Sequence, residues 1–162
     1  LGLDITTEDI GCSDLTKDDV GDPTALPELL DQSDAPVSRF LADGAYDGDP
    51  TSDLLVDRFG EAIEIVIPPP ITAVLSLDAA RDPTPRDKHI AEFRDKGRLA
   101  WQVSSGYNHG SRGEAQIGRW KMVIGPKLKA RNFPNQKTEV RIGTNILNKM
   151  NGLGRAKYEA VA

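Results

Sequence analysis

Hydrophobic positions in the first 67 residues fall into short blocks that alternate between strand and helix spacing. Two strand-like blocks, residues 1–5 and 10–15, are joined by a polar turn, which predicts a β-hairpin. The spacing then predicts a helix, a strand, a second helix and a continuously apolar strand, over residues 23–31, 37–42, 51–59 and 63–67. This order predicts an α/β fold with a mixed sheet.

The rest of the chain is predicted to be mainly helical. A proline-rich connection over residues 68–85 comes first. Helical segments are then predicted over residues 89–93 and 99–103, on either side of Gly97, and over residues 112–124 and 138–153. The last two predicted helices each carry an apolar face, formed by Ile117, Trp120 and Ile124 in the first and by Val140, Ile142, Ile146, Leu147 and Met150 in the second.

Length and composition indicate one globular domain. The chain has 162 residues, of which 38% are hydrophobic and 28% are charged, and no apolar run approaches the roughly 20 residues of a membrane helix. The single cysteine, Cys12, has no partner for a disulfide, so a reducing, cytoplasmic environment is expected. The chain opens with Leu1, shows no secretory signal and reads as though it begins within a domain.

The charge is divided unevenly along the chain. Residues 1–82 form an acidic α/β portion with 4 basic and 19 acidic side chains, whereas residues 83–162 form a basic, mainly helical portion with 16 basic and 6 acidic side chains. The net charge of −5 therefore hides a basic half. Such a surface attracts polyanions, which makes nucleic acid a candidate partner. The alternative is that these cations only solvate helix surfaces.

Three charged residues are candidates for binding a ligand or a metal ion. Asp43 follows the strand predicted over residues 37–42, and ligands of α/β folds bind at the carboxyl ends of strands. Glu114 and Lys121 are seven positions apart on a predicted helix, within about 20° of each other around its axis. Gly118 lies between them, so this stripe is open. A carboxylate and an ammonium placed in this way suit a metal ion and a phosphate, although a solvated helix face is the simpler interpretation.

The local sequences around these residues resemble those of the DDE transposases encoded by bacterial insertion sequences. Residues 42–47, which are followed by a predicted helix and by Val66-Ile67-Pro68-Pro69, are similar to the region around the second catalytic aspartate of these enzymes. The Y-(2)-R-(3)-E-(6)-K signature of these enzymes is similar to the segment with Tyr107, Glu114 and Lys121 in the first, third and fourth positions. Residues 145–150 add to the likeness, which runs through most of the chain in the family's order.

The resemblance implies a ribonuclease H-like fold and the function of DNA transposition. Asp43 would be the second and Glu114 the third of three carboxylates that hold two Mg²⁺ ions, with Mn²⁺ as a substitute. Two such ions support strand cleavage and strand transfer at the ends of the element. The partners would be double-stranded DNA and further copies of the chain assembled on it, in the bacterial cytoplasm at the nucleoid.

The resemblance also assigns contacts to the DNA phosphates. Tyr107 and Lys121 would bind phosphates of the element end, and Lys129 and Arg131 would contact the backbone. Contacts of this kind position DNA without reading its sequence. The signature's Arg position holds Gly110, and Arg112 is the nearest following cation. Arg112 is therefore the candidate to replace the missing contact.

The first carboxylate of the family has no counterpart in this sequence. In the family it lies on the first strand of the sheet, upstream of the hairpin that here begins at Leu1, and we expect that strand to be missing. Two carboxylates offer few oxygens for a pair of ions. The chain on its own is therefore expected to be inactive. The alternatives are a non-catalytic DNA-binding remnant of a decayed transposase and another ribonuclease H-like nuclease.

The remaining polar and aromatic residues are expected to be structural. Asp4 and Asp14 fall on the hairpin and do not match the missing carboxylate. The acidic cluster after Asp43 does not have the spacing of a calcium loop, and the two histidines lack a ligand frame. The two tryptophans are most simply core residues. These residues are Asp47, Asp49, Asp53, Asp57, His89, His109, Trp101 and Trp120.

Overall fold

The computed structural model describes residues 1–17 and 19–154 as a mixed α/β structure. Its described part contains five helices and two small sheets. Arg155 and Lys157, at the end of the basic portion, lie outside the described residues. The elements in chain order are β1 (Gly2–Leu3), β2 (Ile10–Cys12), α1 (Asp22–Leu30), β3 (Arg39–Leu41), α2 (Asp49–Phe59), β4 (Glu64–Val66), α3 (Pro85–Ser104), α4 (Ser111–Val123) and α5 (Phe133–Gly152).

The strands pair as two separate sheets within the described residues. β1 and β2 form the expected antiparallel hairpin, and β3 and β4 form a parallel pair. The described strands thus include both the antiparallel and the parallel pairing of a mixed sheet, and a single ribonuclease H-like sheet stays a prediction. Strand spacing in a sequence indicates that a strand forms but does not identify its neighbour. β1 also ends early, because the Asp4 carboxylate accepts the Thr6 amide at 2.7 Å and starts the turn.

The helices follow the predicted pattern, with differences where a cap decides the boundary. α2 ends at Phe59, and its C-cap residue Gly60 has a φ of 86°, which favours glycine. α3 covers both segments predicted around Gly97, and the helix breaks there at a φ of 81°. α5 begins five residues earlier than expected, because the Asn132 side chain accepts the Asn135 amide and caps the first turn.

The described residues form two compact units. The hairpin unit contains residues 1–20, 28–33 and 111–154, and the parallel-strand unit contains residues 21–27 and 34–110. Each unit combines one small sheet with helices. The change of charge at residue 82 therefore falls inside the parallel-strand unit and does not mark a boundary between units.

Trp101 occupies the core of the parallel-strand unit. It is completely buried, together with Leu55 of α2 and Val66 of β4. Its indole Nε1 donates to Nδ1 of His89 at 2.9 Å, and the other ring nitrogen of His89 lies 3.0 Å from the Ile65 carbonyl oxygen. Because the indole N–H can only donate, Nδ1 of His89 accepts and Nε2–H donates to Ile65. These bonds connect both segments of α3 to β4.

Asp87 holds the proline-rich connection against α3. Its carboxylate accepts four hydrogen bonds, from the amide and hydroxyl of Ser76 and from the amide and hydroxyl of Thr84. The bond from the Ser76 amide contributes most to lowering the pKa of Asp87 well below its usual range. The Thr84 hydroxyl accepts the Asp87 amide in return, which completes a capping box.

The hairpin unit packs α5 through small and polar residues. Asn148 pairs with both backbone groups of Ile10, at 2.8 and 2.9 Å, and the Thr144 hydroxyl donates to Ser13 at 3.0 Å. Gly143 lies directly against the ring of Trp120. The predicted apolar faces are therefore partly wrong, since Ile117 and Ile142 are 48% and 55% exposed. Only a glycine lets Trp120 approach α5 this closely.

We expect Gly143→Ala to lower the free energy of unfolding by roughly 2–3 kcal/mol. A Cβ at this position would overlap the Trp120 ring, so the ring or the helix must move. Gly118→Ala is the matched control, because its Cβ would meet no atom within 4 Å, and it should change stability by about 1 kcal/mol or less. Urea unfolding measures both. Equal stability of the two variants would contradict the packing described here.

The lowered pKa of Asp87 predicts a loss of stability in acid. The unfolded chain titrates this group near pH 3.9, so its contribution is complete above that pH and is lost as the pH falls toward the lower folded value. Asp87→Asn should therefore reduce the free energy of unfolding at pH 7 and flatten its decrease below about pH 4. Asp95→Asn, at an exposed position of α3, should leave the profile unchanged. Parallel profiles for Asp87→Asn and wild type would refute this role.

Candidate functional site

Asp43 stands at the carboxyl end of the parallel strand pair. The pairing continues one residue past β3, where the Ala42 amide donates to the Val66 carbonyl at 3.3 Å. The exposed Asp43 then accepts the Ala45 amide at 2.9 Å and caps the short 3-10 turn Gly44–Tyr46. A Cβ on Gly44 would lie 3.2 Å from the Pro68 carbonyl oxygen, so glycine allows the turn to lie against the end of β4. Asp43 is thus held at a sheet edge with its carboxylate in solvent.

Tyr107 belongs to the aromatic cluster of the same unit. It begins the 3-10 turn Tyr107–Gly110, which follows α3, and its ring centre lies 5.3 Å from that of Trp101. The side chain is half-buried. Asp43 and Tyr107 therefore lie in one unit, and packing against Trp101 fixes the position of the Tyr107 ring.

Glu114 and Lys121 share one stripe of α4. The helix runs from Ser111 to Val123 and places the two side chains two turns apart, within about 20°. Both are exposed, and neither has a hydrogen-bond partner within the described ranges. No atom lies within 4 Å of a Cβ built on Gly118, so the surface between them is open. The stripe offers one free carboxylate and one free ammonium.

Arg112 is bound to the hairpin turn. Its guanidinium donates to the Ile5 carbonyl and lies 4.0 Å from the Glu8 carboxylate. At two positions from Glu114 it points about 160° away from the Glu114 and Lys121 stripe. Arg112 therefore does not join that stripe. Gly110, in the signature's Arg position, has open space around its Cβ position.

Lys129 and Arg131 lie on the loop between α4 and α5. The amides of Lys129 and Ala130 both donate to the Glu139 carboxylate, at 2.8 to 2.9 Å. The bond from Ala130 is the main reason that the pKa of Glu139 is lowered. The side chains of Lys129 and Arg131 are exposed. This loop thus presents two cations from a backbone that α5 holds in place.

The predicted site residues are divided between the two units. Asp43 and Tyr107 belong to the parallel-strand unit, whereas Arg112, Glu114, Lys121, Lys129 and Arg131 belong to the hairpin unit. Two carboxylates supply the oxygen donors that Mg²⁺ prefers but fewer than a pair of ions requires. Among the described residues, no group of three His, Cys, Asp or Glu side chains is placed to hold a metal ion. These residues alone do not fit the two-ion centre.

Several other acidic residues have structural partners. Asp47 pairs with both ends of the Arg86 guanidinium at 2.7 and 2.8 Å, and this contact raises the pKa of Arg86. Asp14 pairs with Lys137 at 2.9 Å. Asp4 accepts the amides of Thr6 and Thr7 in the hairpin turn. The contacts of Asp4 and Asp14 agree with the expectation that they serve the hairpin, whereas the Asp47 carboxylate neither caps a helix nor is solvated but forms an ion pair.

A cavity in the hairpin unit was not foreseen from the sequence. It has a volume of about 390 Å³ and lies between the hairpin turn, α4 and α5. Its lining includes Glu8, Arg112, Gln116, Arg119, Met150 and Asn151. The α4 residues follow helical spacing, but the turn and α5 contribute from more than 30 residues away in sequence. No local motif therefore marks the cavity.

No protein-family model matches the chain, and no solved structure matches it. Within the part that the structure describes, none of the helices is both long and apolar enough to cross a bilayer.

We expect the cations of α4 to differ in their effect on stability. Arg112→Gln should lower the free energy of unfolding by about 1 kcal/mol, because a half-exposed charged donor to Ile5 is lost. Lys121→Gln removes the same charge from a side chain without a described partner and should stay within about 0.5 kcal/mol. Urea unfolding compares the two. A Lys121 variant as unstable as the Arg112 variant would contradict the description of Lys121 as a side chain without a partner in the fold.

Proposed function

We propose that the chain is part of a DDE transposase, an enzyme of DNA transposition that cuts DNA and joins it at the ends of an insertion sequence. The observation that carries the proposal is the pair of exposed side chains on α4, Glu114 and Lys121, at the spacing of the transposase signature. Glu114 lies in the first turn and Lys121 in the last turn of α4, where each charge is favourable for the helix dipole. Both side chains are also exposed and have no partner among the described residues, so they are free to contact a ligand.

Asp43 adds support from the other unit. It is an exposed carboxylate at the carboxyl end of a parallel strand pair, which is the edge where α/β folds bind ligands. Its sequence surroundings resemble the second-aspartate region of the transposases. Because the sequence supplies only two of the family's three carboxylates, the proposal for the 162-residue chain is DNA binding without cleavage.

Double-stranded DNA is the proposed partner of the exposed cations. Lys121, Lys129 and Arg131 are the candidates to contact phosphates, and their exposure allows a backbone to approach them. Arg112 is a weaker candidate because the hairpin turn already uses its guanidinium. Assembly of further copies on the DNA, at the nucleoid of a bacterial cytoplasm, is part of this proposal.

The first test is the salt dependence of DNA binding. Fluorescence anisotropy with a labelled duplex should give an affinity that falls steeply between about 50 and 200 mM salt. Lys121→Gln with Lys129→Gln should reduce the slope of log affinity against log salt by about 2, because two phosphate contacts are lost. Lys88→Gln with Arg98→Gln removes the same charge from exposed positions of α3 and should change the slope less. Absence of binding at low salt would exclude DNA as the partner.

A second candidate function is that of a non-catalytic DNA-binding remnant. The basic residues of the hairpin unit favour it, since they need no carboxylate to bind a polyanion. Mg²⁺ separates the two candidates. If Asp43 and Glu114 face DNA in an active-site arrangement, Mg²⁺ should strengthen binding by wild type and not by Asp43→Asn or Glu114→Gln. In a remnant, Mg²⁺ only competes for phosphates, and both variants bind as wild type does.

A plasmid cleavage assay tests the proposal that the 162-residue chain does not cut DNA. Supercoiled plasmid incubated with the chain and Mg²⁺ should remain uncut. Cleavage that disappears in both Asp43→Asn and Glu114→Gln would show that two carboxylates suffice, and the proposal of an inactive chain would then be wrong. Cutting without joining would favour another ribonuclease H-like nuclease.

A further inference from the structure

The cavity of the hairpin unit lies on a separate face of α4. Arg112, Ala115, Gln116 and Arg119 follow the i, i+3, i+4, i+7 spacing of one helix face, and all four line the cavity. This face points about 160° away from the stripe of Glu114 and Lys121. The volume of about 390 Å³ is in the range of small-molecule pockets. A ligand here would therefore leave Glu114 and Lys121 free and would share with the candidate transposase site only Arg112, its weaker candidate.

The cations of this face are available to an anion. The Arg119 guanidinium makes one long hydrogen bond among the described residues, to the Leu147 carbonyl at 3.5 Å. Arg112 donates to Ile5 and keeps further N–H groups. A guanidinium carries five donors in a planar fork that matches carboxylate or phosphate oxygens. The lining carries these two guanidiniums and one carboxylate, that of Glu8 at 4.0 Å from Arg112, so its net positive charge favours an anion with Arg119 as its main partner.

The lining of the same cavity includes one buried acceptor without a donor among the described residues. Gln116 is 94% buried, since 6% of it is exposed, and its Oε1 accepts no hydrogen bond within the described part of the chain. Its Nε2 donates to the Glu8 carbonyl at 3.2 Å, which fixes the amide. The Asn151 amide is fixed in the same way by Thr7 and Asp9, at 2.8 and 2.9 Å. Buried polar atoms are normally paired, so a hydroxyl that reaches Gln116 Oε1 at the cavity wall would satisfy an otherwise unpaired acceptor.

The wall formed by the hairpin turn is held in place on several sides. Glu8 has a φ of 63°, which is uncommon for a residue with a side chain. Its amide donates to the Asp4 carbonyl at 2.8 Å, and its own carbonyl accepts Gln116. Arg112 and Asn151 bind the neighbouring residues Ile5 and Thr7. The cavity is therefore built by contacts from three segments.

We propose that this cavity binds a small phosphomonoester with a hydroxylated body, of the size of a sugar phosphate. The phosphate dianion is the partner for Arg119 and Arg112, hydroxyl donors of the body meet Gln116 and Asn151, and Met150 covers its apolar edge. The proposal does not depend on the transposase function, because it uses the opposite face of α4 and a ligand other than DNA.

Calorimetric titration of the full chain with ribose 5-phosphate, inorganic phosphate and ribose tests this inference. Ribose 5-phosphate should bind at one site with a dissociation constant below about 1 mM, inorganic phosphate more weakly, and ribose not measurably. Arg119→Gln should weaken both phosphates at least about tenfold. Gln116→Leu should reduce the affinity for ribose 5-phosphate to that for inorganic phosphate and leave the latter unchanged.

Arg141→Gln is the matched control. Arg141 is an exposed cation of α5 outside the cavity lining, so the variant should bind as wild type does. Arg119→Gln loses only a long hydrogen bond and is expected to fold, which circular dichroism would confirm. This variant therefore tests the inference even if Gln116→Leu unfolds. The inference is overturned by any of three results: no saturable binding to wild type, equal weakening by Arg119→Gln and Arg141→Gln, or displacement of ribose 5-phosphate by a duplex without terminal phosphates.

Discussion

The hydrogen-bonded chain from Trp101 through His89 to Ile65 is the constraint on which the parallel-strand unit depends. It joins the two segments of α3, which are broken at Gly97, and ties both to β4. Because the indole donates and the Ile65 carbonyl accepts, the imidazole between them accepts at Nδ1 and donates from Nε2. The Tyr107 ring packs against the same indole, so Tyr107 takes its position from this core.

The hairpin unit is organised by a different principle. Its long-range contacts join side-chain amides and hydroxyls of α5 to the backbone and side chains of the hairpin, as Asn148 does with Ile10 and Thr144 with Ser13. Polar contacts of this kind fix a register more specifically than apolar packing, since each donor needs its own acceptor. Apolar residues such as Ile142 and Ile146 are consequently left at the surface of α5.

Features of the fold could be predicted from the sequence where neighbouring residues alone determine the backbone conformation. Gly60 and Gly97 marked a helix end and a helix break, because a positive φ favours glycine at those positions. The pairing of strands and the buried face of α5 were not predictable in this way, since both depend on residues distant in the chain. The same holds for the sites: Asp43, Glu114 and Lys121 lie at recognisable positions, but the partner of Arg112 and the cavity beside it arise from the hairpin turn, which no spacing on α4 reveals.

The contact between Gly143 and Trp120 also restricts which substitutions the two positions can accept during evolution. With the indole in place, a larger residue at position 143 has no room for even one carbon atom. Once the aromatic ring has been replaced by a smaller side chain, the glycine is no longer required and, in mid-helix, becomes a disadvantage. The order of the two substitutions therefore decides which one is tolerated. A sequence that keeps Trp120 has to keep Gly143, whereas a sequence that has lost Trp120 can also replace Gly143.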